Sequence, residues 1–172
     1  PGESALVMGC GPIGLVIALT ALAGGCPKVL IADIVSKKLE MCKNYNNLIP
    51  IDLNKDNPAE IVKKNTNNWG ANIIFEASGA TKAYDVIFDS ICPAGKVVIV
   101  GNPMNSIPMD FATLLTKEIE IKTVFRYAHQ YERAINLLSS NKIDVKPMIT
   151  DTVAFDDSCL LYTSDAADDM QC

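Results

Sequence analysis

Three glycines near the start of the chain have the spacing of a phosphate-binding turn. Gly9, Gly11 and Gly14 form the pattern G-x-G-x-x-G. In that pattern the first glycine allows a tight turn, the second lets backbone approach a pyrophosphate, and the third lets a helix pack closely on a strand. Pro12 falls near the first helical turn, where its missing N–H costs little. The pattern predicts a turn that binds the pyrophosphate of a dinucleotide.

A carboxylate follows at the separation that a dinucleotide requires. Asp33 ends an apolar run, residues 29–32, and lies nineteen positions after Gly14. A carboxylate at that place can accept hydrogen bonds from both hydroxyls of a ribose, and it repels a 2′-phosphate. Glycines with this spacing also occur in ordinary turns. The strand before them, the helix after them and Asp33 together favour NAD binding over NADP binding.

Apolar runs of strand length alternate with helical segments along the chain. These strands and helices must position the glycine turn and Asp33. Small residues at 77–80 follow one run and leave room for a ligand at that strand end. The predicted strands are the run before Gly9 and residues 29–33, 48–52, 71–76, 95–101 and 118–125. The predicted helices follow the glycine turn and cover residues 36–43, 57–64, 81–91, 109–117 and 130–141.

The alternation predicts an α/β fold, a doubly wound six-stranded parallel sheet of the Rossmann type. Ser36 is the predicted N-cap of the second helix, and Asn57 caps the third with Pro58 in its first position. Pro50 indicates that the third strand is an edge strand. An edge is where the third strand lies in a sheet of order 3-2-1-4-5-6.

Composition indicates one globular domain and narrows the range of partners. The chain has 172 residues, of which 49% are hydrophobic and 20% charged, with a formal net charge of −5. The negative charge argues against nucleic-acid binding. The most apolar run, residues 13–23, is too short to cross a bilayer, and the start of the chain lacks a basic signal region. We therefore predict a cytoplasmic protein that binds neither nucleic acid nor a membrane.

The cysteines and the single histidine do not have the spacing of a metal site. No C-x-x-C pair is present, which predicts free thiols in a reducing compartment rather than disulfides. His129 is interpreted as an exposed residue at a helix start, so the sequence predicts no metal ligand in this chain. The six cysteines are Cys10, Cys26, Cys42, Cys92, Cys159 and Cys172.

Five motifs resemble the medium-chain zinc alcohol dehydrogenase family. They are G-E-S-A-L-V-M-G-C-G-P-I-G, L-I-A-D, I-I-F-E-A-S-G-A, A-G-K-V-V-I-V-G and V-F-R-Y. The last, with K-I-D-V-K-P-M-I-T downstream, is similar to the sorbitol (L-iditol) and other polyol dehydrogenases. The resemblance covers roughly residues 1–158. It implies hydride transfer between NAD and a secondary alcohol of a polyol, with a zinc ion polarising the alcohol oxygen.

The resemblance also implies roles for individual residues. Ile13 and the glycine turn would contact the pyrophosphate, while Asp33 would hold the adenosine ribose with Lys38 beside it. Arg126 and Tyr127 would reach the polyol hydroxyls. The two residues could instead be an ordinary strand-end charge and a packing side chain. The residues implied to line the rest of the cofactor are Val100, Gly101 and Asn102, on the nicotinamide side, and Val124, Phe125 and Arg126.

In the resembling family, the zinc ligands and the proton relay come from a domain that precedes a Pro-Gly linker. Because this chain begins at Pro1-Gly2, it is expected to bind NAD without turning over a polyol, and it should contain no catalytic residue. The intact enzyme is expected to be a homo-oligomer. Residues 1–150 are the predicted dinucleotide-binding domain, and residues 151–158 the start of a return toward the catalytic domain.

Residues 159–172 have clustered acids and no helical stripe, so we predict a non-native, disordered tail, with a divergent but genuine end as the alternative. Two other function classes stay open for the chain. One is a non-catalytic NAD-sensing module, which would need only the dinucleotide turn. The other is a methyltransferase, which also places a glycine turn before an acidic strand end, although its glycines are usually closer together.

Overall fold

The computed structural model describes residues 1–157 and contains one six-stranded sheet. Its strands are β1 (Ala5–Met8), β2 (Val29–Asp33), β3 (Leu48–Asp52), β4 (Ala71–Glu76), β5 (Ile91–Ile99) and β6 (Glu120–Thr123). The α-helices are α1 (Pro12–Ala23), α2 (Ser36–Leu39), α3 (Pro58–Asn65), α4 (Ala83–Ser90), α5 (Phe111–Thr116) and α6 (Tyr131–Ser139). Short 3-10 helices cover Glu40–Asn44, Lys146–Met148 and Phe155–Asp157.

All strands pair in parallel in the order β3-β2-β1-β4-β5-β6. The predicted doubly wound six-stranded parallel sheet is therefore confirmed. Pro50 lies in the edge strand β3, as predicted. The tail predicted over residues 159–172 lies outside the described residues.

Alternate residues of the central strands belong to two separate hydrophobic clusters, one on each face of the sheet. Leu6 and Met8 of β1 pack in a cluster that includes residues of α3 and α4. Ala5 and Val7 pack in the other cluster, with residues of α1. Because side chains alternate across a strand, a strand covered on both faces must be apolar throughout. Every residue of β1 and β2 is accordingly buried.

The second helix differs from its prediction. It ends at Leu39, and a 3-10 helix, Glu40–Asn44, continues the chain. Ser36 is the first helical residue rather than the N-cap, and its hydroxyl donates a 2.6 Å hydrogen bond to the Asp52 carboxylate at the end of β3. The third helix follows its prediction, since the Asn57 side chain accepts from two first-turn amides and Pro58 takes the first position.

The last two strands also differ in extent. β5 begins at Ile91, four residues before the predicted start, and its pairing with β4 shifts register next to Ala71. Ala94 has a φ of 54°, which lies outside the extended conformation and interrupts the regular strand. β6 is shorter than predicted because Glu118 has a φ of 53° and the chain leaves the sheet after Thr123. Arg126 and Tyr127 therefore lie in the segment beyond the strand, not at its last residues.

Within residues 1–157, the structure shows no helix of the length and apolarity needed to span a membrane.

Candidate cofactor site

The glycine turn joins the end of β1 to the start of α1, and each glycine has a different reason to be there. Gly9 has a φ of +103°, a backbone conformation that favours glycine. A Cβ on Gly14 would lie 1.9 Å from the Gly9 carbonyl oxygen, so only glycine allows this approach of helix and turn. A Cβ on Gly11 would meet nothing within 4 Å, and its backbone is extended. The space in front of Gly11 is therefore open to a ligand.

The N-terminus of α1 presents backbone N–H groups without a side-chain cap. Gly11 is the N-cap residue and makes no capping hydrogen bond, and the first turn contains no acidic residue. Pro12 and Ile13 are both exposed, and Ile13 is 61% exposed although it is apolar. The unpaired N–H groups and the positive end of the helix dipole suit an anion such as a pyrophosphate.

Asp33, the last residue of β2, lies beside this turn and is only 9% exposed. Its Oδ2 accepts a 2.7 Å hydrogen bond from the backbone N–H of Cys10, and its Oδ1 accepts one of 2.8 Å from Val35. A carboxylate oxygen can accept more than one hydrogen bond, so both oxygens keep capacity for ligand hydroxyls. Lys38 is an exposed residue of α2 whose carbonyl oxygen lies 3.4 Å from the Cys10 sulfur.

A second carboxylate, Glu76, organises the neighbouring strand end and was not identified from the sequence. It is fully buried, and its Oε1 accepts hydrogen bonds from the N–H groups of Ser78 (2.8 Å) and Gly79 (3.0 Å) and from the Ser78 hydroxyl. A Cβ on Gly101 would lie 2.5 Å from the Glu76 Oε2. The small residues after β4 therefore fold around this carboxylate. An acid followed by Ser and Gly at the end of an apolar strand is the signal that could have indicated it.

The ends of β1 and β4 also meet directly. The Ala77 N–H donates to the Met8 carbonyl at 2.9 Å. A Cβ on Gly9 would lie 3.2 Å from the Ala77 carbonyl group. Together with the Glu76 contact to Gly101, this places the carboxyl ends of three strands against one another, which is where open α/β sheets bind ligands.

A cavity of about 420 Å³ opens beyond the end of β5. Tyr84 lies in its wall, with a buried hydroxyl that has no hydrogen-bond partner within the described residues. Burial raises the pKa of Tyr84, and the nearby Glu76 charge adds to that effect. The predicted cofactor residues that line this cavity are Val100, Gly101, Asn102, Val124 and Phe125.

Arg126 and Tyr127 do not line this cavity. The Arg126 guanidinium carbon lies 5.2 Å from the centre of the Phe125 ring. The Tyr127 ring packs edge-on against Tyr131, with ring centres 5.3 Å apart. Phe125 itself is 83% exposed, so this segment presents aromatic and cationic groups to solvent next to the cavity.

Residues 1–157 contain no group of three or more His, Cys, Asp or Glu side chains that could hold a metal ion. Cys10, Cys26, Cys42 and Cys92 are free thiols within this part of the chain.

A family model described as zinc-binding dehydrogenase matches residues 12–140, which is most of the chain. The chain belongs to the zinc-binding dehydrogenase family. This confirms the family that the sequence motifs indicated.

Curated relatives of this zinc-binding dehydrogenase chain include two named for D-xylulose reduction. A putative D-xylulose reductase of Agrobacterium fabrum is 44% identical over 158 residues, covering 92% of this chain and 45% of that protein. The D-xylulose reductase of Morganella morganii is 41% identical over 164 residues, covering 94% of this chain and 48% of that protein. A sorbitol dehydrogenase of Bacillus subtilis is 32% identical over 152 residues, covering 88% of this chain and 43% of that protein. The chain spans about half the length of the curated relatives it matches.

Solved structures of other dehydrogenases share the fold. The alcohol dehydrogenase TADH from Thermus sp. ATN1 matches with a TM-score of 0.86 at 26% identity, over 98% of this chain and 49% of that one. An oxidoreductase/dehydrogenase of Escherichia coli, ECK1772, matches with a TM-score of 0.81 at 29% identity, over 87% of this chain and 43% of that one.

Proposed function

We propose that this chain is the NAD-binding part of a zinc-dependent oxidoreductase that transfers hydride between NAD and a secondary alcohol of a polyol. The observation that carries the proposal is the pairing of an open glycine turn with the Asp33 carboxylate, which is bonded to the Cys10 amide in that turn. The D-xylulose reductases and the sorbitol dehydrogenase among the relatives support the polyol as the substrate class.

The adenosine half of the cofactor would lie along the first two strand ends. The N–H groups at the start of α1 would bind the pyrophosphate, and Ile13 would cover it from its exposed position. Asp33 would accept hydrogen bonds from the ribose hydroxyls, with Lys38 beside it. A 2′-phosphate would place negative charge against the nearly buried carboxylate, so NAD is favoured over NADP.

The nicotinamide half would lie toward the cavity beyond β5, where its hydride chemistry is supplied by the cofactor itself. Val100, Gly101 and Asn102 would border the ring, and Val124 and Phe125 also line the cavity. We propose Arg126 as a cofactor and polyol contact, and Tyr127 as a polyol contact, because both are exposed and follow Phe125, a cavity-lining residue, in the chain. We place the zinc ligands in the part of the relatives' length that this chain does not cover.

The domain boundaries and the assembly are further parts of the proposal. Residues 1–150 form the dinucleotide-binding domain, and residues 151–158 begin the return toward a catalytic domain. A homo-oligomer is supported by large apolar side chains on α5 and on α6 that are exposed in this chain. They include Phe111, Leu115, Tyr131 and Ile135. Four free thiols within residues 1–157 support a reducing compartment such as the cytoplasm.

Ligand titration of the purified chain tests the proposal. NADH fluorescence should change saturably on adding the chain, and NADPH should compete much more weakly than NAD. S-adenosylmethionine should not compete. Binding of S-adenosylmethionine without NADH binding would favour a methyltransferase and overturn the proposal. Polyol oxidation, followed as NADH formation, should appear only in a longer protein that also carries the zinc ligands. NADH binding without polyol oxidation in that protein would favour a non-catalytic NAD sensor.

A further inference from the structure

Two cysteine sulfurs lie in contact beneath the glycine turn. The Sγ atoms of Cys10 and Cys42 are 3.8 Å apart, although the residues are 32 positions apart in the chain. Cys10 belongs to the turn itself, and Cys42 lies in the 3-10 helix Glu40–Asn44 that follows α2. Their exposed fractions are 5% and 1%. The pair therefore connects the turn to the segment that leads into β3.

Core packing explains part of this arrangement. Both cysteines belong to the hydrophobic cluster that includes residues of α1. A buried cysteine behaves in such a cluster as a small apolar residue. Packing alone does not require the two sulfurs to face each other, however. The Cys10 Sγ also lies 3.4 Å from the Lys38 carbonyl oxygen, so the thiol pair sits within a small polar network.

The two sulfurs are chemically unequal. The hydrogen-bonding contact between the two sulfurs lowers the pKa of Cys42, whereas the same contact and burial raise the pKa of Cys10. Cys42 is therefore the sulfur that ionises first. Since the thiolate is the nucleophilic form, Cys42 is the attacking atom of the pair.

We propose that Cys10 and Cys42 form a dithiol modification site, which a small hydroperoxide oxidises to a disulfide, and that this oxidation weakens dinucleotide binding. The effect on binding rests on the proposed function, whereas the formation of the disulfide does not. Because both sulfurs are buried, hydrogen peroxide reaches them through local opening of the turn or of the 3-10 helix Glu40–Asn44.

The oxidation takes place in two balanced steps. The Cys42 thiolate attacks one peroxide oxygen, an S–O bond forms, the O–O bond breaks, and the released hydroxide takes up a proton as water. The Cys10 sulfur then attacks the Cys42 sulfur, the S–O bond breaks, and hydroxide leaves with the Cys10 proton as a second water. The two thiols lose two electrons in total, and one hydrogen peroxide molecule is reduced to two waters.

The position of Cys10 explains why the disulfide would affect binding. A disulfide requires the sulfurs to lie much closer than 3.8 Å, so the turn at Cys10 and the 3-10 helix at Cys42 must be drawn toward each other. The Cys10 backbone N–H holds Asp33 at 2.7 Å, and Gly9 is packed directly against Gly14. The turn therefore has little freedom to absorb the movement without displacing Asp33 or the α1 N-terminus.

Peptide mapping tests the disulfide without reference to NAD. The reduced chain is treated with hydrogen peroxide, its remaining thiols are alkylated, and it is digested with trypsin. The expected product joins residues 1–28 to residues 39–43, which carry Cys10 and Cys42. Cys26→Ser is the matched control, because it removes the other thiol of the first peptide and should leave the product unchanged. Cys42→Ala should abolish it. Absence of the joined peptide from the wild-type chain overturns the proposal.

NADH titration before and after oxidation tests the effect on binding. The Kd should rise by about tenfold or more, within the usual range of coupling between two sites, and dithiothreitol should restore it. Peroxide should leave the Kd of Cys42→Ala unchanged. A joined peptide with an unaltered Kd overturns the effect on binding. A joined peptide in a chain whose reduced form does not bind NADH instead contradicts the proposed function and leaves the dithiol site standing.

Discussion

The Asp33 carboxylate accepts a 2.7 Å hydrogen bond from the backbone N–H of Cys10, which ties the end of β2 to the glycine turn. One residue thus serves two purposes, because the same carboxylate fixes the turn and faces the place proposed for the ribose. A substitution at Asp33 should therefore be judged by its ligand selectivity and its stability together.

Asp33→Ala should weaken NADH binding and reduce the preference for NADH over NADPH. Loss of hydrogen bonds to a charged group is worth about 1.5–3 kcal/mol, or roughly ten- to a hundredfold in Kd. Asp85→Ala, which removes an exposed carboxylate on α4, is the control and should change neither value. Competition titration gives both affinities, and an unchanged preference would show that Asp33 does not contact the ribose.

Substitutions at two glycines of the turn should affect different properties, one the stability of the chain and the other its binding of NADH. Gly14→Ala introduces a Cβ 1.9 Å from the Gly9 carbonyl oxygen, so the free energy of unfolding should fall by about 1–3 kcal/mol, as overpacking does. Gly11→Ala meets no atom within 4 Å and should fold with wild-type stability, yet bind NADH poorly because the methyl group occupies the open space.

Urea unfolding and NADH titration of both variants check this contrast. If Gly11→Ala binds NADH as the wild type does, the pyrophosphate does not lie against Gly11.

Glu76→Gln should destabilise the chain, although no ligand contact is changed. The Oε1 atom of Glu76 accepts from the N–H groups of Ser78 and Gly79 in a fully buried site. An amide retains only one acceptor oxygen, and leaving a buried polar group unpaired costs about 1–3 kcal/mol. Glu60→Gln, at an exposed position on α3, is the matched control. Equal midpoints of urea unfolding for the two variants would contradict this role.

The stability contributed by Asp52 should depend on pH. Hydrogen bonds from Lys55 and then Ser36 hold the pKa of the Asp52 carboxyl well below its usual range. A depressed folded-state pKa gives stability that is present above the unfolded pKa of about 3.9 and is lost as the pH falls toward the folded value.

Asp52→Asn should therefore be less stable than the wild type at pH 7 and at pH 5, and the difference should shrink below about pH 4. Urea unfolding at pH 7, 5 and 3 measures it, with Asp85→Asn as the control carboxylate. A difference that persists unchanged at pH 3 would show that ionisation of Asp52 is not its source.

Local patterns were sufficient to predict the strand order, the glycine turn and the strand-end position of Asp33. Each depends on residues close in sequence or on apolar runs of strand length. The register shift between β4 and β5 was missed because Ala94 adopts a positive φ that no local pattern indicates. Glu76 was missed because most of its partners are backbone N–H groups, which the sequence does not show.

The Cys10–Cys42 contact joins residues 32 positions apart, a separation at which helical or strand periodicity carries no information. The true start of β6 was missed because Glu118, like Ala94, takes a left-handed conformation that no local pattern indicates. Predictions from sequence thus identified the strands and their order, but not the exact limits of β5 and β6 or the side-chain contacts between strand ends.

The interlocking of Glu76, Gly79 and Gly101 has a thermodynamic consequence. Because backbone contacts already fix these strand ends against one another, the rim of the crevice is preorganised. A ligand entering it has little protein entropy to remove, so most of its contact energy contributes to affinity. Association should then resemble docking to a rigid surface, with small backbone displacement and no slow ordering phase.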